Sequence, residues 1–147
     1  MGGGQRVSVV ADSPRTSSRL RVLVVDDDEV LRDALCGLLS DEGFDVVGQA
    51  GDGDTAVCMA RDCQPDVVLV DYRMPGMDGI EAIGLMKMEA PLTQAVMLTV
   101  YDDHALNLEA ERAQVYCLLV KGCPPPLIVD MVGRAGTYKR ELERRQR

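Results

Sequence analysis

Five polar groups in this chain stand where they could do chemistry together. Asp26 and Asp27 close the run Val22-Leu23-Val24-Val25, and Asp71 closes Val67-Val68-Leu69-Val70. Thr99 follows Val96-Met97-Leu98, and Lys121 follows Leu118-Leu119-Val120. An apolar run of strand length that ends in a polar residue is the mark of a buried parallel strand delivering a side chain to one rim of a sheet. Three carboxylates brought together there repel one another, and one would tend to stay protonated. A hard cation removes that conflict, and Mg²⁺ takes carboxylate oxygens together with water and phosphate. The hydroxyl and the ammonium suit phosphoryl oxygens. Acidic residues after strands also serve as helix caps and turn formers. Asp28 and Asp78 are assigned to that role, and Asp26, Asp27 and Asp71 to the site.

The elements that must position these groups alternate regularly. Strands are predicted over 21–25, 45–50, 67–70, 95–98 and 116–120. Helices are predicted over 29–42, 54–64, 78–88, 102–113 and 124–136. The first helix has the clearest stripe, Val30, Leu31, Ala34, Leu35, Leu38 and Leu39, with Gly43 as a left-handed cap. The fourth has only an irregular stripe, Ala105, Leu106, Leu108 and Ala110. The fifth opens in Pro124-Pro125-Pro126, where proline in the first turn sacrifices no hydrogen bond. Five strands alternating with five helices predict an α/β fold, a doubly wound parallel sheet covered on both faces. Ligands of such sheets bind beyond the carboxyl ends of the strands, where strand order reverses.

Bulk composition sets limits. A length of 147 residues suits one domain, and 46% apolar residues suffice for a core built from aliphatic and Met side chains, since Trp is absent. Charge divides the chain into three: residues 1–19 carry net +2, residues 20–136 carry −13 and residues 137–147 carry +3. Residues 1–19, rich in Gly, Ser, Pro and Arg, read as a flexible N-terminal extension. Residues 20–136 read as the folded domain, and residues 137–147 as a charged tail, either a solvated helix extension or a linker. The acidic body makes a poor polyanion binder. Five Cys with no Cys-x-x-Cys and a single His argue against zinc and for reduced thiols. No apolar run reaches the roughly 18 residues of a membrane span, and the start lacks a signal segment, so a cytoplasmic protein is expected.

The run Asp71-Tyr72-Arg73-Met74-Pro75-Gly76-Met77-Asp78-Gly79, the acidic pair Asp26-Asp27, and intervals of 44, 28 and 22 residues from Asp27 to Asp71, Thr99 and Lys121 in turn resemble a known family. The chain resembles the CheY-like receiver domains of two-component response regulators over about 20–136. With its Gly51-Asp52-Gly53 turn it is most similar to the NarL/FixJ type. The resemblance implies a flavodoxin-like sheet of order 2-1-3-4-5. It implies that Asp71 accepts a phosphoryl group from a sensor histidine kinase. Asp26, Asp27 and Asp71, with the main-chain carbonyl of Arg73, would hold Mg²⁺. Thr99 and Lys121 would contact the phosphoryl oxygens. The signal would pass through the face of helix four, strand five and helix five, to regulate transcription. DNA would be contacted only through an output domain absent from this chain; a homodimer is left open, and no membrane contact is expected.

Departures from the family pattern gather on the output face. Val100 stands where a small residue is usual, and Leu118 where the switch aromatic is usual, with Tyr116 two residues earlier as a substitute. Gln114 replaces the glycine that ends helix four, and Gly122 replaces the proline after the lysine. Two other readings remain. Asp26-Asp27-Asp28-Glu29-Val30 fits the start of a haloacid-dehalogenase-type phosphatase, an Mg²⁺ enzyme with an aspartyl nucleophile. A docking module that keeps the acidic pocket without being phosphorylated is the other.

Overall fold

The computed structural model describes residues 19–101 and 103–147. The extension expected over 1–19 therefore lies, except for Arg19, outside the described residues. The elements are β1 (Arg21–Val25), α1 (Glu29–Asp41), β2 (Asp45–Ala50), α2 (Gly53–Cys63), β3 (Val67–Asp71), α3 (Gly79–Glu89), β4 (Gln94–Thr99), α4 (His104–Arg112), β5 (Cys117–Val120) and α5 (Pro125–Arg145). The five strands are parallel and lie in the order β2-β1-β3-β4-β5. Strand side chains alternate between two apolar clusters. Leu23, Val25, Val68, Val70, Ala95 and Met97 face α2, α3 and α4, where Ala56, Ala60, Ala82, Ile83, Met86, Leu106 and Ala110 meet them. Val22, Val24, Val67, Leu69, Val96 and Leu98 face α1 and α5, against Leu35, Leu39, Ile128, Val132 and Ala135. Each Val, Leu, Ile or Met among them contributes about 1.5–3 kcal/mol on burial. Among the described residues no helix is long and apolar enough to cross a membrane.

Helix starts follow the local sequence closely. Asp28, Asp52, Asp78 and Asp103 are the N-caps of α1 to α4, each accepting main-chain N–H groups of the first turn. A cap of this kind is worth about 1 kcal/mol. Asp28 and Asp78 thus do what a cap does. Helix ends hold one surprise. Gly43 (φ 92°) closes α1 with bonds from its own N–H to Ser40 O and from Phe44 N–H to Leu39 O, a Schellman arrangement. Gln114 (φ 59°) closes α4 with the same pair of bonds, to Glu111 O from itself and to Ala110 O from Val115. The cap therefore survives the loss of its glycine, at the expense of a strained left-handed glutamine.

The last helix does not stop near Gly136. It runs on to Arg145 because the charged segment has its own partners beneath the sheet. Lys139, only 7% exposed, lies 3.3 Å from Asp66 and 2.8 Å from Glu143, and Arg140 lies 3.1 Å from Asp66. Gly136 is a contact glycine rather than a terminator: a Cβ there would sit 2.7 Å from Leu20 Cδ1.

Candidate functional site

The sheet order reverses between β1 and β3, and these strands with β4 and β5 bring four of the five polar groups to their carboxyl ends. Asp26 follows the last residue of β1, Asp71 ends β3, Thr99 ends β4, and Lys121 follows β5. Asp27 stands in the loop after β1. One carboxylate oxygen from each of Asp26, Asp27 and Asp71 lies within 4.8 Å of the others. Lys121 Nζ is 3.1 Å from Asp71 Oδ1 and 3.8 Å from Asp26 Oδ2. Asp26, Asp71 and Thr99 are 1%, 4% and 1% exposed, while Asp27 is exposed.

The loop between β3 and α3 is held tightly under Asp71. Gly79 N–H donates to Tyr72 O at 2.7 Å, and a Cβ on Gly79 would be 2.6 Å from Asp71 O, so only glycine fits. Thr99 Oγ1 accepts the Tyr101 N–H at 2.9 Å, which turns the hydroxyl's own proton free to point elsewhere. Beside Asp71, the Arg73 guanidinium lies 5.0 Å from the centre of the Tyr101 ring, which packs edge-on against Tyr72.

The electrostatics are those of an unneutralised pocket. Burial pushes the carboxyl pKa values of Asp26 and Asp71 above the ordinary range, and the neighbouring carboxylates push the same way. Main-chain N–H groups of Asp28 and Arg73, and Lys121, offset this only in part. For Lys121 burial acts to lower the pKa, but the hydrogen bond and charge of Asp71, with the charges of Asp26 and Asp27, outweigh it and hold the ammonium charged. Asp26 Oδ1 accepts the Asp28 N–H at 2.9 Å, yet its buried Oδ2 has no hydrogen-bond partner. Lys121, at 3.8 Å, is a charge neighbour beyond hydrogen-bond reach. An orphaned carboxylate oxygen among hard oxygen donors fits a small divalent cation such as Mg²⁺.

The structure places three of the output-face departures and corrects one expectation among them. Val100 is 63% exposed and stands at the rim rather than inside the pocket. Leu118 packs on the α2–α4 side of the sheet. Tyr116 packs on the α1–α5 side, against Tyr138 at 5.8 Å, so it is no substitute for a ring at Leu118. Alternation failed there because β5 begins only at Cys117. Sequence reasoning also missed Arg32, which reaches the end of β1 from α1. Nothing local separates it from the helix's solvent-facing charges.

The receiver-domain model of response regulators matches residues 22–133. The response regulator GacA of Pseudomonas aeruginosa is 36% identical over 104 residues, 70% of this chain and 49% of GacA. The transcriptional regulatory protein PdtaR of Mycobacterium tuberculosis is 39% identical over 114 residues, 76% of this chain and 53% of PdtaR. The chain thus spans about half the length of the curated relatives it matches. Among solved structures, the receiver domain of the M. tuberculosis response regulator NarL superimposes with a TM-score of 0.76 at 30% identity, covering 82% of this chain and 98% of that one. The response regulator domain of Thermotoga maritima CheB does so with a TM-score of 0.74 at 30% identity, covering 81% and 97%. A family model that matches most of the chain, and whole receiver domains that superimpose on the sheet described above, agree on one conclusion: this chain belongs to the response regulator receiver domains of two-component systems.

Proposed function

We propose that the chain is a phosphoryl-accepting switch, with Asp71 as the acceptor and the phosphohistidine of a sensor histidine kinase as the donor. The observation that carries this is the cluster itself: Asp26, Asp27 and Asp71 oxygens within 4.8 Å, and Lys121 Nζ 3.1 Å from Asp71. An Asp71 carboxylate oxygen attacks the phosphorus, the phosphorus–nitrogen bond breaks with its electron pair passing to that ring nitrogen, and the histidine, protonated at its other ring nitrogen, leaves as neutral imidazole. Such transfer needs positioning and charge neutralisation more than covalent participation. Lys121 stays charged and pairs with a phosphoryl oxygen as a point charge, and the Thr99 hydroxyl donates to another. Asp26, Asp27 and Asp71, with the Arg73 main-chain carbonyl, would hold Mg²⁺, which when bound neutralises charge on the transferring group.

The new charge on Asp71 alters what Thr99 and Lys121 hold, and with them the elements they end. The output surface in this reading is α4, β5 and α5, where Leu108, Val120 and Leu127 stand 37%, 44% and 39% exposed. With transcriptional regulators among the relatives, the pathway served is transcription, read out by a segment beyond this receiver. Incubation with Mg²⁺ and acetyl phosphate, followed by mass spectrometry, tests the acceptor. Wild type gains one phosphoryl group and Asp71→Asn gains none. Equal labelling of the variant removes Asp71 from the mechanism. Labelling on Asp26 would favour phosphatase chemistry, though that side chain is 1% exposed. No labelling of either protein would favour a docking module.

A further inference from the structure

We infer that Arg32 is a positioning residue for the acidic pocket, acting through the main chain of β1 rather than touching metal or phosphoryl group. Resting on the acceptor reading above, this assigns a support to one edge of that site. Arg32 stands in the first turn of α1, half-buried, and its side chain crosses the loop to the ends of β1 and β2. Its Nη1 donates to the main-chain oxygen of Asp26 at 2.7 Å, and its Nε to Gln49 Oε1 at 3.3 Å. A Cβ on Gly51 would lie 3.2 Å from Nη1, so the small residue there leaves the guanidinium its room.

The oxygen that Arg32 holds belongs to the peptide unit joining Asp26 to Asp27. The plane of that unit sets the directions in which the two carboxylates leave the chain. On the Asp26 side the chain is already fixed, since Asp26 N–H donates to Ala50 O at 3.0 Å. Asp27 is exposed, and its direction depends on this peptide plane together with the next one, whose Asp28 N–H donates to Asp26 Oδ1 at 2.9 Å. Without Arg32 the carbonyl would turn toward water and the pair of carboxylates would lose its common aim. A charged donor to a main-chain oxygen is among the stronger hydrogen bonds, and the guanidinium fork spans two acceptors in a way an ammonium cannot.

The test uses Mn²⁺ as a paramagnetic stand-in for Mg²⁺, with free Mn²⁺ read by electron paramagnetic resonance well below the melting temperature. Arg32→Met keeps the aliphatic stem and removes the donors; Arg32→Lys keeps the charge without the fork. Arg32→Met should weaken Mn²⁺ binding about tenfold, the lower end of what loss of a supporting group does to a metal site. Arg32→Lys should recover only part of that. The Asp27 amide should also move in a metal-free ¹⁵N spectrum, because its peptide carbonyl has lost its donor. Wild-type affinity in Arg32→Met overturns the role, and full recovery by Arg32→Lys overturns positioning in favour of charge alone. If Arg32→Met does not fold, Arg32→Lys alone carries the test: weaker Mn²⁺ binding with a shifted Asp27 amide supports the fork, and wild-type binding overturns it. A wild type that binds no Mn²⁺ overturns the acceptor reading itself, and the role of Arg32 with it.

Discussion

Replacing Asp26 with Asn should make the metal-free protein more stable. The variant keeps the shape and the oxygen that accepts the Asp28 N–H at 2.9 Å. It exchanges the buried oxygen that has no hydrogen-bond partner for a neutral amide NH₂. Unit charges about 4 Å apart interact by roughly 4 kcal/mol at an effective dielectric constant near 20. Asp26 loses one attraction of that order, to Lys121 at 3.8 Å, and two repulsions of similar order, to Asp27 and Asp71 within 4.8 Å. One repulsion is left over, reduced by solvent screening at exposed Asp27, so a net gain of about 1–2 kcal/mol is expected. That is a rise in Tm of about 3–6 °C for a chain of this size. The sign depends on pH. Burial raises the folded-state pKa values of Asp26 and Asp71 above 3.8, so the folded chain holds these protons more tightly than the unfolded chain. Wild-type stability therefore falls as pH rises from 3.8 through the folded-state values. The advantage of Asp26→Asn should be smallest at pH 3.8 and below, and grow as pH rises through the folded-state values. Urea melts in EDTA measure it. Saturating Mg²⁺ should erase it, since binding at about 100 times Kd stabilises wild type alone by about 2.7 kcal/mol. An Asn variant less stable than wild type in EDTA at high pH would refute the view that these carboxylates are held together against repulsion.

Three further outcomes follow from the same geometry. Asp66→Ala leaves Lys139 and Arg140 without their buried carboxylate; a loss of about 3 kcal/mol is expected in chemical denaturation, and a loss under about 1 kcal/mol would mean that solvent already screens the group. Gly79→Ala drives a Cβ to within 2.6 Å of Asp71 O; it should lower stability by about 2 kcal/mol and slow phosphoryl labelling, and a wild-type rate would show that the loop yields freely. Val100→Ala should speed labelling by acetyl phosphate by opening the rim, while stability changes by less than about 0.5 kcal/mol because the side chain is 63% exposed; an unchanged initial rate would place Val100 outside the donor's path.

What the sequence discloses about this molecule depends on how local the cause is. Buried parallel strands advertise themselves as short apolar runs, so the five strands and the strand order inferred from the family resemblance agree with the sheet, and β1 and β2 agree to the residue. Aspartate caps lie within three residues of the amides they hold, which is why Asp28 and Asp78 could be set apart from the pocket in advance. Contacts between distant segments leave no such trace. Asp66 and Lys139 are 73 positions apart, and neither is unusual in its own neighbourhood. A charged run after Gly136 therefore reads as a solvated extension or linker, although Lys139 within it is buried against Asp66. The reach of Arg32 to the Asp26 carbonyl is shorter in sequence but crosses a loop, and the helical stripe says only that Arg32 is off the apolar face. Tyr116 misleads for a related reason: alternation predicts a face only inside a strand, and β5 starts one residue later. The pocket's reactive groups are thus encoded in strand ends, which are local, while their aim and support are encoded in pairings that only the folded chain brings together. Substitutions at the supports, Arg32 and Gly79 above all, are where receivers with the same acidic set can come to differ in metal affinity and rate.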